Sequence, residues 1–210
     1  MRQQKLLDLP PPNRRRYEQT LHTQGISLIA GVDEAGRGCL AGPVVAAAVI
    51  LPKDSQIPNL KDSKKLSERQ REQLFEVISK QAVAFATGVV DTQEIDRTNI
   101  LAASLLAMRI AVDELKVTPQ FLLIDGQQMI EHHIPQRALI RGDDISINIA
   151  AASIIAKVSR DRMMRDLEPL YHPFKFSIHK GYGTALHKEE LKRFGPTPIH
   201  RKTFRGVKAT

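Results

Sequence analysis

The chain carries a single cysteine, Cys39, among 210 residues. One thiol excludes an intramolecular disulfide and any zinc cluster built on cysteines. No histidine stands beside it in sequence to activate a thiolate, so Cys39 reads as a small residue packed after a turn. No segment approaches the ~18 consecutive apolar residues that span a bilayer. The opening Met1-Arg-Gln-Gln-Lys-Leu-Leu-Asp-Leu-Pro10 also lacks an apolar core of signal-peptide length. A cytoplasmic protein with no membrane role is expected. There is no internal repeat and no linker of domain-separating character, which leaves one main domain.

A hydrophobic content of 42% with 26% charged residues is that of a globular chain. The net charge is +8, and it is unevenly spread. From Tyr171 to Thr210 nine Lys/Arg stand against two acids, Glu189 and Glu190. Such a basic segment suits a polyanion. Binding to a membrane surface would need a long amphipathic apolar face, which this segment lacks.

Local patterns divide the chain as follows. Residues 1–25 hold Pro10-Pro-Pro12 and Arg14-Arg-Arg16, a leader too short to be a domain. Ile26–Ala30 reads as a buried strand, and Gly42–Leu51, closing at Pro52, as its hairpin partner. Lys61-Asp-Ser-Lys-Lys65 is a polar loop. Ser67 with Gln70 makes a capping box for a helix to about Lys80. Ala82–Val90 is a third strand, and Asn99 caps an apolar helix over Ile100–Leu115. Phe121-Leu-Leu-Ile124, ending at Asp125-Gly126, has the profile of a central parallel strand. Ala138–Ile140 is a fifth. A long helix runs from Ser146 to about Leu167, and a last one from Thr184 to Phe194, stopped by Gly195-Pro196. The pattern predicts one α/β domain, residues 26–210, with a mixed five-stranded sheet and a basic helical C-terminal region.

Carboxylates gather where such a sheet would end its strands. Asp33-Glu34 end the first strand, where it gives way to a loop, Asp125 ends the fourth, and Asp143-Asp144 precede the long helix. Ligands of α/β sheets cluster at the carboxyl ends of strands. Like charges held together are stable mainly with a cation between them, and oxygen-only ligands favour Mg²⁺ or Mn²⁺ over zinc. Gly36 and Gly38 let the backbone approach a ligand, and Arg37 between them offers a planar fork suited to phosphate. A hard-metal carboxylate site on a basic protein suggests phosphodiester chemistry. A non-catalytic nucleic-acid-binding module would need only the basic tail, and the acidic cluster would repel its ligand.

The motifs resemble those of bacterial ribonuclease HII. Asp33-Glu-Ala-Gly-Arg-Gly38 with Leu40-Ala-Gly-Pro43 is similar to the family's opening motif. In order there follow Asp62-Ser-Lys-Lys-Leu66, Asn99-Ile-Leu101, Ile124-Asp-Gly126, Gly142-Asp143 with Ile149-Ala-Ala-Ala-Ser153, Ala156-Lys157 with Arg160-Asp161, His179-Lys-Gly-Tyr-Gly-Thr184 and His200-Arg201. The resemblance covers residues 27–204 and implies a ribonuclease H-like fold. The activity it implies is cleavage of the RNA strand of RNA–DNA hybrids and of ribonucleotides embedded in duplex DNA, leaving 3′-hydroxyl and 5′-phosphate ends. Asp33, Glu34, Asp125 and Asp143 are then the catalytic, metal-binding carboxylates, with Asp144 a solvated neighbour or a helix cap. Gly36, Arg37 and Gly38 would contact the ribonucleotide backbone, and Tyr182 would pack on the following sugar. Lys64, Lys157 and Lys180 would contact phosphates. Ribonuclease HIII is the alternative, disfavoured by Gly-Arg-Gly and by the lack of room for an extra N-terminal domain. A monomer is expected, and no protein partner can be inferred. His132-His133 and the His179/His187 spacing do not complete a zinc site, and His179 and His200 read as hydrogen-bonding elements of C-terminal packing.

Overall fold

Val44–Ile50 (β2) is an unbroken apolar stretch of 7 residues, every one buried, as a strand needs when it is covered on both faces and both edges. In the computed structural model, which describes residues 15–58, 60 and 66–207, β2 lies between two antiparallel partners. These are Ile29–Ala35 (β1) and Ala84–Val90 (β3). On its other side β1 pairs in parallel with Phe121–Asp125 (β4), which pairs in parallel with Gln136–Leu139 (β5). The sheet is therefore mixed and five-stranded, in the order β3-β2-β1-β4-β5. Its last β1–β4 pair is Val32 with Ile124, so Asp33 and Asp125 are the next residues along neighbouring parallel strands.

Side chains alternate between the two faces of a strand. Ala30, Val32, Ala46 and Ala48 pack with helix Ile100–Asp113 (α4) in one core layer. Ala35, Ala47 and Val49 pack with helices Glu68–Gln81 (α2) and Ile147–Leu167 (α6) in the other. Asp33 shares the α6 face. The approach of α6 is close because position 31 is glycine: a Cβ there would lie 2.0 Å from the Asn148 carbonyl carbon. Asn148 also donates from Nδ2 to the Ile29 carbonyl at 2.7 Å, fixing the register of helix on strand.

The first strand begins and ends later than its sequence suggests. The Ser27 and Leu28 amides donate to the Gln120 side-chain oxygen at 2.8 and 3.0 Å, so the ladder starts only at Ile29. It then runs on to Ala35 because β2 continues opposite it, which puts Asp33 and Glu34 within the strand. Two helices were hidden from periodicity by their shortness, Thr92–Arg97 (α3) and Gly142–Ile145 (α5). Asp143 and Asp144 lie in α5, and Ser146 caps α6, so Asp144 is not that helix's cap. Asp144 pairs with Arg141 at 2.6 Å instead. The capping box of Ser67 and Gln70 is present at α2. The polar loop at 61–65 lies outside the described residues.

Part of the expected leader is ordered as helix Arg16–Thr23 (α1), whose Leu21 packs with Ile29, Leu123, Leu139 and Ile149. Its Glu18 accepts from the Ser146 hydroxyl at 2.5 Å, tying α1 to the start of α6. The C-terminal region is helical: a short turn, Phe176–His179 (α7), then Ala185–Phe194 (α8). Among the described residues no helix is long and apolar enough to cross a membrane.

Candidate active site

A cleft of about 390 Å³ opens where β1 and β4 end, lined by Asp33, Glu34, Gly36, Arg37, Gly38, Asp125, Ser153, Lys157 and Tyr182. Volume does not single it out. A cleft of about 480 Å³ under α1 is larger, but Arg16, Tyr17 and Arg137 line it without any carboxylate. The smaller cleft is marked by chemistry.

Asp33 is buried, and its carboxyl is pushed well above the usual range by burial, then by Glu34 and Asp125. The Ser153 hydroxyl and the Glu34 amide, 2.7 Å from Oδ1, oppose that rise. Burial also raises the Glu34 carboxyl, with Arg37 opposing and Asp125 adding to the rise. One Glu34 oxygen accepts from Arg37 at 3.1 Å. The other, Oε2, is buried with no hydrogen-bond partner among the described residues. Asp125 Oδ1 accepts from the Gly142 amide at 2.6 Å. Asp143, the next residue, is buried but does not line the cleft.

Among the described residues no three acidic, histidine or cysteine side chains converge closely enough to hold an ion as they stand. Arg37 and the Gly142 amide hold two of the three cleft acids, and burial, with the repulsion of the other two, raises the proton affinity of the third. The donor set nonetheless fits a hard divalent cation. It is all oxygen, it concentrates negative charge in a buried position, and it includes an orphaned carboxylate oxygen.

The opposite rim is a loop braced from below. Gly36 adopts φ +98, and a Cβ there would lie 2.1 Å from the Arg160 side chain. Arg160, fully buried on α6, donates to the carbonyls of Ala41, Pro43 and Lys180 at 2.8–2.9 Å. Arg201, equally buried, donates to the carbonyls of Gly42 and Arg37. Each carbonyl orphaned by loss of such a donor costs about 1–3 kcal/mol. These two arginines join the Gly36–Gly38 turn to the Lys180–Tyr182 segment. Sequence reasoning gave them no role, although both fall inside the motifs. Ser153 was missed in the same way.

Tyr182 stands on the rim, 37% exposed. Its neighbour across an isolated antiparallel pair is the buried Cys39. Lys157 Nζ lies 5.0 Å from the ring centroid and pairs with Asp161 at 2.7 Å. Lys64 is outside the described residues. Lys180 does not face the cleft: it is buried, with Nζ donating to the Ser177 carbonyl at 2.6 Å and lying 3.5 Å from Glu68. Its backbone is left-handed, with φ 50. The structure thus brings together Asp33, Glu34, Asp125, Gly36, Arg37, Gly38, Lys157 and Tyr182.

The family model described as Ribonuclease HII matches residues 30–207. A ribonuclease HII of Geobacter metallireducens is 54% identical over 192 residues, 91% of this chain and 90% of the relative. One from Caldanaerobacter subterraneus subsp. tengcongensis is 53% identical over 188 residues, 90% of this chain and 78% of the relative. The crystal structure of ribonuclease H2 from Pyrococcus horikoshii is 28% identical with a TM-score of 0.70, covering 85% of this chain and 94% of that one.

Proposed function

The chain belongs to the ribonuclease HII family and is a ribonuclease H, and on that premise we propose that it cuts both RNA–DNA hybrids and single ribonucleotides embedded in duplex DNA, leaving 3′-hydroxyl and 5′-phosphate ends. The observation that carries the reading is one cleft with an acidic floor, Asp33, Glu34 and Asp125, and a glycine-and-tyrosine rim. The metal ligands are assigned to Asp33, Glu34, Asp125 and Asp143, with Mg²⁺ or Mn²⁺ as the ion. Asp143 is included for its motif and for its place beside Gly142, whose amide holds Asp125. When bound, the ion supplies an activated water and stabilisation of the leaving oxygen.

The chain's own residues supply position and selectivity. Gly36 and Gly38 leave main-chain groups accessible for contact with a ribonucleotide, whose 2′-hydroxyl distinguishes it from a deoxynucleotide. Arg37 is half exposed while paired to Glu34, so its remaining donors can meet a phosphate. Lys157 adds a cation to the same rim. The Tyr182 ring offers a flat apolar face for a sugar. Substrate placed between rim and floor presents a phosphodiester to the carboxylates. The catalytic domain is taken as residues 26–210 with its basic helical end, and α1 packs onto it through Leu21.

The test compares a DNA duplex carrying one ribonucleotide with the same duplex made only of DNA, with and without Mg²⁺ or Mn²⁺. A single ion-dependent cut at the ribonucleotide is expected. Cleavage that needs no divalent ion, or that treats both duplexes alike, would overturn the reading.

A further inference from the structure

Behind Tyr182 lies a group of buried imidazoles that the acidic floor does not use. His187 on α8 and His200 beyond it are both fully inside the protein. Their Nε2 atoms are 3.0 Å apart, so one must donate and the other accept. The ends of the chain decide which. The Thr197 amide, which can only donate, points at His200 Nδ1 from 2.8 Å. That nitrogen must accept, so a neutral His200 carries its proton on Nε2 and donates to His187. His187 Nε2 therefore accepts, and its proton sits on Nδ1. That Nδ1 is 3.0 Å from the Tyr182 carbonyl, which can only accept. Every link is fixed by an obligate partner at one end or the other.

We propose that His187 and His200 are positioning residues that hold Tyr182 against the cleft through a relay of two neutral imidazoles with fixed tautomers. The role rests on the reading of Tyr182 as a substrate contact. The site is built for neutrality: burial first, then a neighbouring histidine, pushes both rings down to about 4. A second proton on His187 would set N–H against N–H and break the relay. His179 completes the support from the other side of the loop. It accepts the Gly181 amide on Nδ1 at 3.1 Å, stacks on His187 with centroids 4.1 Å apart, and reaches Glu190 through Nε2 at 2.9 Å. The main chain on both sides of the Tyr182 ring is thereby tied to α8 and the segment after it.

Nitrogen NMR of the imidazole rings in the whole wild-type chain tests the assignment directly. His187 should be protonated on Nδ1 and His200 on Nε2; a His187 proton on Nε2 would overturn the relay. Kinetics test the role. On a duplex with one ribonucleotide, His187→Leu should lower kcat/KM roughly tenfold, the loss expected for one well-placed hydrogen bond. His187→Asn, which keeps an N–H near the Nδ1 position, should recover most of that loss. Neither variant should lower activity further once Tyr182→Ala is present, although both should still shift the melting temperature. Equal losses in the two backgrounds would mean that His187 merely supports the fold. Should His187→Leu fail to fold, His200→Gln serves in its place, since its amide can still donate to His187; activity as low as that of Tyr182→Ala would contradict the relay. Full activity of Tyr182→Ala alone would instead sink the substrate reading and the functional half of this proposal, leaving the ring assignments intact.

Discussion

Asp125 accepts the Gly142 amide through one oxygen while its charge raises the proton affinity of Asp33 and Glu34. Asp125→Asn keeps an oxygen for that amide and removes the charge. Activity should fall on the order of 10²-fold or more, because several kcal/mol of transition-state stabilisation depend on the ligand set. Without metal, the variant should melt no lower than the wild type, since a buried repulsion has been removed. Near-wild-type turnover at saturating Mg²⁺ would return Asp125 to a structural role. Tyr182 supports a different comparison. Its ring, which lines the cleft, is the part proposed to pack on a sugar. Tyr182→Phe, which keeps the ring, should retain much more activity on a single-ribonucleotide duplex than Tyr182→Ala, which removes it. Equal, full activity of both would remove Tyr182 from the substrate contacts. That Asp33, Glu34, Asp125 and this tyrosine line one cleft was legible in the sequence, because acids near glycine turns at strand ends, and an aromatic between glycines, are local patterns. Arg160 and Arg201 were not legible as braces. Their partners are main-chain carbonyls, four of them 117 to 164 residues away, which no local pattern records.

The elements followed the sequence where a local device defines them. The Ser67–Gln70 capping box, the Asn99 cap and the apolar run of β4 appear as expected, because each is decided within a few residues. β1 was misplaced because its start depends on Gln120 and its end on β2, both distant in sequence. Helices α3, α5 and α7 are four to six residues long, too short to show a helical period. α8 carries its charge in the open: Lys188, Lys192 and Arg193 are all exposed. If these side chains contact phosphates, neutralising the three together should weaken every duplex alike and flatten the log K against log salt slope by about 0.9 per lost contact. Affinities measured over a salt series, with Ca²⁺ replacing Mg²⁺ to discourage cleavage, check this. An unchanged slope would leave the three residues as solvent-facing groups of α8.

For the molecule as a whole, the buried histidines predict how stability responds to acid. His187 and His200 sit near 4 in the folded protein against an ordinary 6.5. Between those values the unfolded chain binds protons that the folded chain refuses, so stability rises with pH across that window. It is fully present above about 6.5 and lost as the pH falls towards 4. Asp33 and Glu34 act in the opposite sense, because their raised carboxyls favour the folded state in acid. Melting temperatures of wild type and His200→Gln, followed from neutral pH downward, separate the two contributions. The wild type should fall more steeply, and parallel curves would contradict the assignment. The mixed sheet and the helical C-terminal region could be anticipated from the sequence, but the packing of three histidines into one group could not, since it depends on how α8 folds back. The strand order has a further consequence. β1 lies at the centre of the sheet with a partner on each side, whereas Tyr182 lies in a loop whose one ladder pair is the isolated pair with Cys39, its other ties being to side chains such as His187. Amides of β1 should therefore exchange with solvent only through global opening, and those around Tyr182 through smaller, more frequent excursions. On the proposed reading of Tyr182, contact with the ribose could lapse for a moment while the acidic floor stays assembled, ready for the next attempt.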